Sequence, residues 1–239
     1  MNKLTEKQID ELKKYDTPTI ANAIEFFGLR SRTEGIMNQS IKCILPNGKT
    51  MIGYANTARV SAISPSSTDQ TKIWMEYYSK LQTTPRPSIA VIQDSDFVPT
   101  GSFWGEVNAT VHKSLGCVGT VTNGGVRDLN EVEQLSFGYF ASCLLVTHAY
   151  IHIEEFDCPV HVGGLTVNPG DLIAADRHGV ILIPEEIAHQ LAYACKKAGD
   201  AELPVLEGCR RAISENKEID LEKLGQWRKE MAQLRSIKI

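Results

Sequence analysis

The sequence has no long apolar run. Nothing in its 239 residues approaches the roughly 18–20 consecutive apolar positions that a membrane-crossing helix needs. The first residues, Met1-Asn2-Lys3-Leu4-Thr5-Glu6-Lys7, carry no apolar secretory core, so a cytoplasmic location is expected. Positive charge is not in excess: 25 Lys and Arg against 29 Asp and Glu leave a net charge of −4. Phosphate neutralisation needs concentrated cations, so neither a nucleic-acid nor a membrane partner is expected. None of the six cysteines, Cys43, Cys117, Cys143, Cys158, Cys195 and Cys209, sits in a C-x-x-C pair. Reduced thiols are therefore expected rather than a zinc site or a disulfide framework. Neither G-x-G-x-x-G nor G-x-x-x-x-G-K-[ST] occurs, which argues against standard dinucleotide and P-loop chemistry. Internal repeats and low-complexity tracts are also missing.

What remains is the composition of an ordinary globular chain, 42% hydrophobic and 23% charged, long enough for a sizeable core. Thr5 and Gln8 predict a capping box at the start of a first helix. Thr17 as cap and Pro18 at the first helical position predict a second, with Ile20, Ala23, Ile24 and Phe27 on one side and Gly28 closing it. A strand is expected over 51–60, a helix over 69–81 with Ile73, Tyr77 and Leu81 inward, and a fully buried strand at Ile89-Ala90-Val91-Ile92. Val107, Val111 and Leu115 recur every fourth residue and predict a helix over 105–115 ended by Gly116. A strand over 118–122, a turn at Asn123-Gly124-Gly125, a helix over 128–135 closed by Gly138 and a strand over 139–146 follow. Alternating strands and helices imply parallel pairing through crossovers, an α/β fold. Short strands with tight turns are expected over 159–167 and 172–183, then a helix from Pro184 that stops at Gly199. The last forty residues read as helical, with Leu221, Leu224, Trp227, Met231 and Leu234 as an apolar stripe.

Two of these loops can carry chemistry. The loops before Glu106 and before Asp128 both follow parallel strands, and ligands of open α/β sheets bind at the carboxyl ends of such strands. The helix opening at Gly105 leaves free N–H groups near Val107 and Asn108, which with the helix dipole attract a carboxylate or phosphate. The second loop adds Arg127 and Asp128, and Gly124 and Gly125 allow close backbone approach. Bland readings compete. Asp128 with Glu131 fits a capping box, Glu106 suits a first helical turn, and Arg127 suits a surface ion pair. His148, Tyr150, His152 and Glu154 share one face of an expected strand over 149–153, with a metal role as the sharper alternative. The run Ser64-Pro65-Ser66-Ser67 has no nucleophile-elbow context. Nothing marks Lys113 as a Schiff-base lysine.

The stretch Trp104-Gly105-Glu106 followed by Gly116-Cys117-Val118-Gly119-Thr120-Val121-Thr122-Asn123-Gly124-Gly125-Val126-Arg127-Asp128-Leu129-Asn130-Glu131 resembles the RraA-like family. That family includes 4-hydroxy-4-methyl-2-oxoglutarate aldolases and regulators of ribonuclease E activity. The aldolase signature is an acidic residue, twenty intervening residues, Arg-Asp, two residues and a second acidic residue. Glu106, Arg127, Asp128 and Glu131 fill it in register. Asp16-Thr17-Pro18-Thr19-Ile20-Ala21-Asn22-Ala23, Pro159-Val160-His161-Val162-Gly163-Gly164, Pro169-Gly170-Asp171 and Asp176-Arg177-His178-Gly179-Val180 extend the likeness over about residues 15–195.

The resemblance implies a swivelling β/β/α core with N-terminal helices, residues 1–199, and a C-terminal helical extension, 200–239, packing on the core or a neighbouring subunit. It implies a homotrimer or homohexamer, and a divalent cation, Mg²⁺ or Mn²⁺. It also implies retro-aldol cleavage or decarboxylation of a small 2-oxo acid through a pyruvate enolate. Asp128 is then the metal residue, with Glu106 and Glu131 as further carboxylates acting through water. Arg127 binds substrate and steadies the enolate. The amides of Gly105, Val107 and Asn108 line the substrate carboxylate, and Glu106 positions a water that takes the 4-hydroxyl proton. Asn123 departs from the pattern, where Asp is frequent. The rival reading from the same resemblance is a non-catalytic regulator of the ribonuclease E inhibitor type.

Overall fold

The computed structural model describes residues 3–236. They form two compact units. The larger holds the chain up to Thr17 and Gly35–Glu186; the smaller holds Pro18–Glu34 and the chain from Ile187 on. Among the described residues, no helix is long and apolar enough to cross a membrane.

The larger unit opens with α1 (Glu6–Leu12), where Gln8 N–H donates to Thr5 Oγ1 and Thr5 N–H to Gln8 Oε1, the expected capping box. Its sheet is built on β2 (Met51–Ser61), β3 (Ser88–Asp94), β4 (Cys117–Thr122) and β6 (Gly138–Ala141), all parallel, as the alternating pattern predicts. The intervening β5 (Gly125–Val126) pairs with β7 (Cys143–Leu144) in a separate two-stranded ribbon. Three helices cross between the parallel strands: α3 (Gln70–Thr83), α4 (Glu106–Ser114) and α5 (Leu129–Gln134). On the outer side of β6 lies β1 (Lys42–Leu45), antiparallel. β2 is long enough for two antiparallel neighbours: β11 (Leu172–Asp176) on its first half and β8 (His152–Phe156) on its second. β12 (Gly179–Ile183) completes the sheet beyond β11, and β9 (Val160–Val162) with β10 (Leu165–Val167) makes a separate hairpin.

Period-two alternation along β3 divides the core. Ala90 and Ile92 join Tyr77, Leu81, Trp104, Ala109 and Val132 from the crossover helices and the loop before α4. Ile89 and Val91 join Val121, Phe140, Val160, Val167, Ile173 and Val180. A strand apolar on both faces is thus a strand covered on both faces, and each buried Val or Ile contributes about 1.5–3 kcal/mol.

Four local expectations fail for identifiable reasons. α4 buries Ala109 and His112, while Val107 is exposed; His112 can enter the core because both ring nitrogens find partners, Tyr77 and the Asn108 carbonyl. α5 ends earlier than Gly138, at a left-handed Ser136 (φ 49°), and Gly138 starts β6 instead. The strand expected over 149–153 begins only at His152, because Ala149 is left-handed (φ 44°).

The fourth concerns the smaller unit, which contains most of α2 (Thr17–Glu25), α6 (Ala188–Ser214) and α7 (Leu221–Ser236). α6 runs straight through Gly199 and Pro204 for 27 residues, so the division expected at 199/200 falls inside a helix. Its buried face of Leu191, Ala194, Cys195, Ala198 and Ala201 continues past Gly199, and that burial outweighs the roughly 1 kcal/mol that glycine costs a helix. Phe26 is buried after α2 in preference to Phe27. Gly208 gives the ring of Trp227 room, since a Cβ there would lie 2.2 Å from it.

Candidate active site

The site grows from three loops at the carboxyl end of the parallel strands. Ser102 fastens them together. Its N–H donates to the Thr147 carbonyl at 2.9 Å, and its buried hydroxyl lies 2.6 Å from the Trp104 carbonyl and 2.8 Å from the Gly125 carbonyl. Trp104 then bridges Val126 in parallel, and Arg127 N–H donates to the Trp104 carbonyl at 3.2 Å. The segment leading into α4 is therefore laid along the segment that carries Arg127 and Asp128.

This brings the sequence candidates together. Glu106 N–H donates to Asp128 Oδ2 at 2.9 Å, and Arg127 Nε lies 3.8 Å from the same oxygen. The guanidinium also donates from Nη1 to the Val146 carbonyl at 3.3 Å. Gly105 caps α4 without a side chain, and a Cβ there would meet Asp128 Oδ2 at 2.5 Å and Arg127 Nε at 3.1 Å. The first intrahelical bond is Ala109 N–H to the Gly105 carbonyl. The N–H groups of Val107 and Asn108 thus precede it and are left for a ligand, with the positive end of the helix dipole behind them.

The capping reading of Asp128 is not what the structure shows. Asp128 precedes α5 in the left-handed region (φ 58°, ψ 47°) and makes no side-chain hydrogen bond to its own helix. Its carboxylate serves the neighbouring helix, α4, instead. Glu131 is exposed in the first turn of α5, and no capping box forms with it. Asp128 and Arg127 are each about one-third exposed in their side chains.

Other sequence candidates separate from this cluster. Lys113 lies seven residues along α4, about 10 Å from its start, and donates to the Ser136 carbonyl. His148 and His152 each use Nδ1 on a backbone carbonyl, those of Ala149 and Tyr150. Among the described residues, no three His, Cys, Asp or Glu side chains converge as a metal cluster. A cation held here would have the Asp128 carboxylate with Glu106 next to it, hard oxygen donors and no nitrogen or sulfur. That set fits Mg²⁺ or Mn²⁺, which keep several waters and bind through one or two carboxylates.

Several neighbours carry no signal in the sequence. Ser102, Tyr139 and the Val146 carbonyl depend on contacts between loops distant along the chain. Asp94, at the end of β3, is only 4% exposed, and burial pushes its carboxyl up to about 6. Asn123 clamps its backbone, accepting from Asp94 N–H and donating from Nδ2 to the Asp94 carbonyl, both at 2.8 Å. An aspartate could make only the first of those bonds, which accounts for the amide where the resemblance leads one to look for Asp.

Comparison with known proteins places this geometry in context. The family model described as Aldolase/RraA, RraA-like, matches residues 15–182. A protein of Halalkalibacterium halodurans named "Putative 4-hydroxy-4-methyl-2-oxoglutarate aldolase" is 27% identical over 216 residues, 89% of this chain and 93% of that protein. Protein DlpA of Legionella pneumophila is 27% identical over 108 residues, 44% of this chain, and there the match takes in only 17% of the relative's length. The crystal structure of Streptomyces coelicolor RraAS2, a member of the RNase ES inhibitor RraA protein family, superposes with a TM-score of 0.63 at 21% identity, covering 84% of this chain and 95% of that one. At that identity the likeness concerns the fold.

Proposed function

The chain belongs to the RraA-like family, and from that premise and the loop geometry we propose that it is a divalent-metal-dependent lyase. The reaction is retro-aldol cleavage or decarboxylation of a small 2-oxo acid through a pyruvate enolate. The family holds both aldolase or decarboxylase members and RNase E inhibitors, so the site has to carry the choice. The observation that carries it is the diversion of Asp128. Its carboxylate leaves its own helix and meets the start of α4, so a guanidinium, a carboxylate and two free N–H groups border one place, with Glu106 at the first position of α4.

In this reading the N–H groups of Val107 and Asn108, flanked by Gly105, hold the substrate carboxylate, and Arg127 donates to the C2 oxygen. Asp128, with Glu106 and Glu131 through water, holds Mg²⁺ or Mn²⁺. When bound, that cation supplies Lewis-acid polarisation of the carbonyl. As the bond to C3 breaks, charge develops on the C2 oxygen, and in this reading the Arg127 donors meet it. Such oriented donors are worth about 3 kcal/mol each at a transition state. Glu106 takes up the proton lost by the 4-hydroxyl through an intervening water; decarboxylation of oxaloacetate needs no such base and yields the same enolate. Family members are typically oligomeric, and a homotrimer or homohexamer is part of this reading.

The test is pyruvate release from oxaloacetate and from 4-hydroxy-4-methyl-2-oxoglutarate, coupled to lactate dehydrogenase, with Mg²⁺ and with EDTA. EDTA-sensitive turnover is expected. Absence of turnover on any 2-oxo acid rejects the lyase in favour of a binding protein, and borohydride trapping of a lysine rejects it in favour of Schiff-base chemistry.

A further inference from the structure

Among the described residues, two buried side-chain polar atoms have no hydrogen-bond partner: Trp104 Nε1 and the Tyr139 hydroxyl. Both residues are fully buried, and their ring centroids lie 6.3 Å apart. Trp104 adjoins the candidate site along the chain, and Tyr139 packs against Trp104. Trp104 immediately precedes Gly105 and Glu106, and its carbonyl holds the Arg127 N–H. Tyr139 stands on β6 opposite Thr120 of β4. Burial raises its phenol well above the usual range, the Asp128 charge adds to that, and the Arg127 charge opposes it.

The side chains packed against Trp104 do not satisfy its N–H. His112, 4.6 Å from Trp104 between ring centroids, spends Nδ1 on the Asn108 carbonyl and Nε2 on the Tyr77 hydroxyl. Phe103 and Phe137, the other rings against Trp104, have no polar atoms. An indole N–H only donates, whereas a phenol both donates and accepts, so the two cannot be matched by one more donor. One water can serve both, because it accepts from the indole, pairs with the phenol and keeps a proton for a carboxylate.

We propose that a water is buried between Trp104 Nε1 and the Tyr139 hydroxyl, and that through it Tyr139 acts as a positioning residue for the Asp128 carboxylate. The water ties the floor of the site to the oxygen that the Glu106 N–H does not use. The role given to Asp128 rests on the lyase reading; the buried water does not.

Tyr139→Phe keeps the ring and removes only the hydroxyl. A bridged hydroxyl stabilises the fold, so its loss lowers Tm by about 2–4 °C; an unpaired one is removed at no cost or with a gain. Outer-shell partners of metal ligands are typically worth 10–100-fold in metal affinity. Titration with Mn²⁺ alone, read by electron paramagnetic resonance of the free ion, should therefore give a Kd weaker by about tenfold in Y139F. A crystal structure of the wild type at high resolution should show a water within about 3 Å of both atoms. No water there, or an unchanged or raised Tm in Y139F, overturns the buried site. Unchanged Mn²⁺ affinity with the water present overturns the positioning role. If the wild type takes up no Mn²⁺, the metal reading of Asp128 falls, and the density and the Tm shift decide the water on their own.

Discussion

Gly105→Ala separates function from stability at this site more cleanly than removal of a charged residue. Gly105 is extended (φ −155°, ψ −173°), a conformation alanine adopts without strain, so the backbone raises no objection. The obstacle is the added methyl, which would lie 2.5 Å from Asp128 Oδ2 and 3.1 Å from Arg127 Nε. Non-bonded carbon contacts settle near 3.5 Å, so the carboxylate has to retreat by about 1 Å. Its 2.9 Å bond from the Glu106 N–H does not survive that shift. Such charge-assisted bonds contribute about 1.5–3 kcal/mol, and a 1 Å misplacement at a reacting centre costs about a hundredfold in rate. The expected outcome is a kcat/KM for pyruvate release about two orders of magnitude below wild type, with a cooperative melt within several degrees of it. Turnover within about threefold of wild type in a folded G105A protein would show that the tight packing of Gly105 against Arg127 and Asp128 is unconnected with the chemistry.

Arg127→Ala and Asp128→Ala should each lower turnover by about a hundredfold, from the roughly 3 kcal/mol of one oriented donor, and wild-type rates in either variant refute its assigned role. Asp94 and His112 should oppose each other in the pH dependence of stability. The His112 ring, buried with a pKa pulled down to about 4, forfeits about 3 kcal/mol as pH falls from 6.5 to 4, whereas Asp94, raised to about 6, returns a similar amount as pH falls from 6 to 3.8. Asp94→Asn should therefore uncover a steep loss of stability between pH 6.5 and 4 in urea denaturation, and curves parallel to wild type would contradict the cancellation. Asn123→Asp should cost about 1–3 kcal/mol in the same measurement, because it forfeits the bond to the Asp94 carbonyl and sets a second carboxylate beside the first; equal midpoints would reject the clamp.

The readable part of the fold is the part governed by period. Ile89 to Ile92, apolar without alternation, forms a strand buried on both faces, and the strand–helix order gives the parallel sheet around it. Thr5 and Gln8 cap α1 as their spacing implies. The misreadings arise where tertiary burial overrides a local rule. The valines spaced every fourth residue in α4 suggest an inward stripe, yet Val107 is exposed and His112 is buried, because Tyr77 and the Asn108 carbonyl satisfy a ring that local pattern would send to solvent. Gly199 announces an end to α6 that its alanine face does not obey. In the site, the signature residues were legible, but what holds them was not. Ser102, the Val146 carbonyl and Tyr139 meet partners 19–45 positions away in the chain, and no local spacing encodes a contact between loops.

The conformation of Asp128 bears on the choice between a structural and a chemical role. Placing a residue other than glycine in the left-handed region costs roughly 1 kcal/mol, and leaving a helix start without its side-chain cap costs about as much again. The sequence had an inexpensive alternative, since Asp128 with Glu131 is a capping box in waiting. What the chain obtains instead is one hydrogen bond to the Glu106 N–H, a group that the dipole of α4 and solvent could satisfy at the surface. That bond contributes about 1.5–3 kcal/mol, which no more than balances the two costs. The diversion therefore brings little stability over the capping box it replaces, and strained residues of this kind cluster at active sites and ligand clamps. An oxygen directed beside a guanidinium and two open amides is placed for a cation and the anion it accompanies, which is why the strain at Asp128 supports the lyase reading independently of any likeness to other sequences.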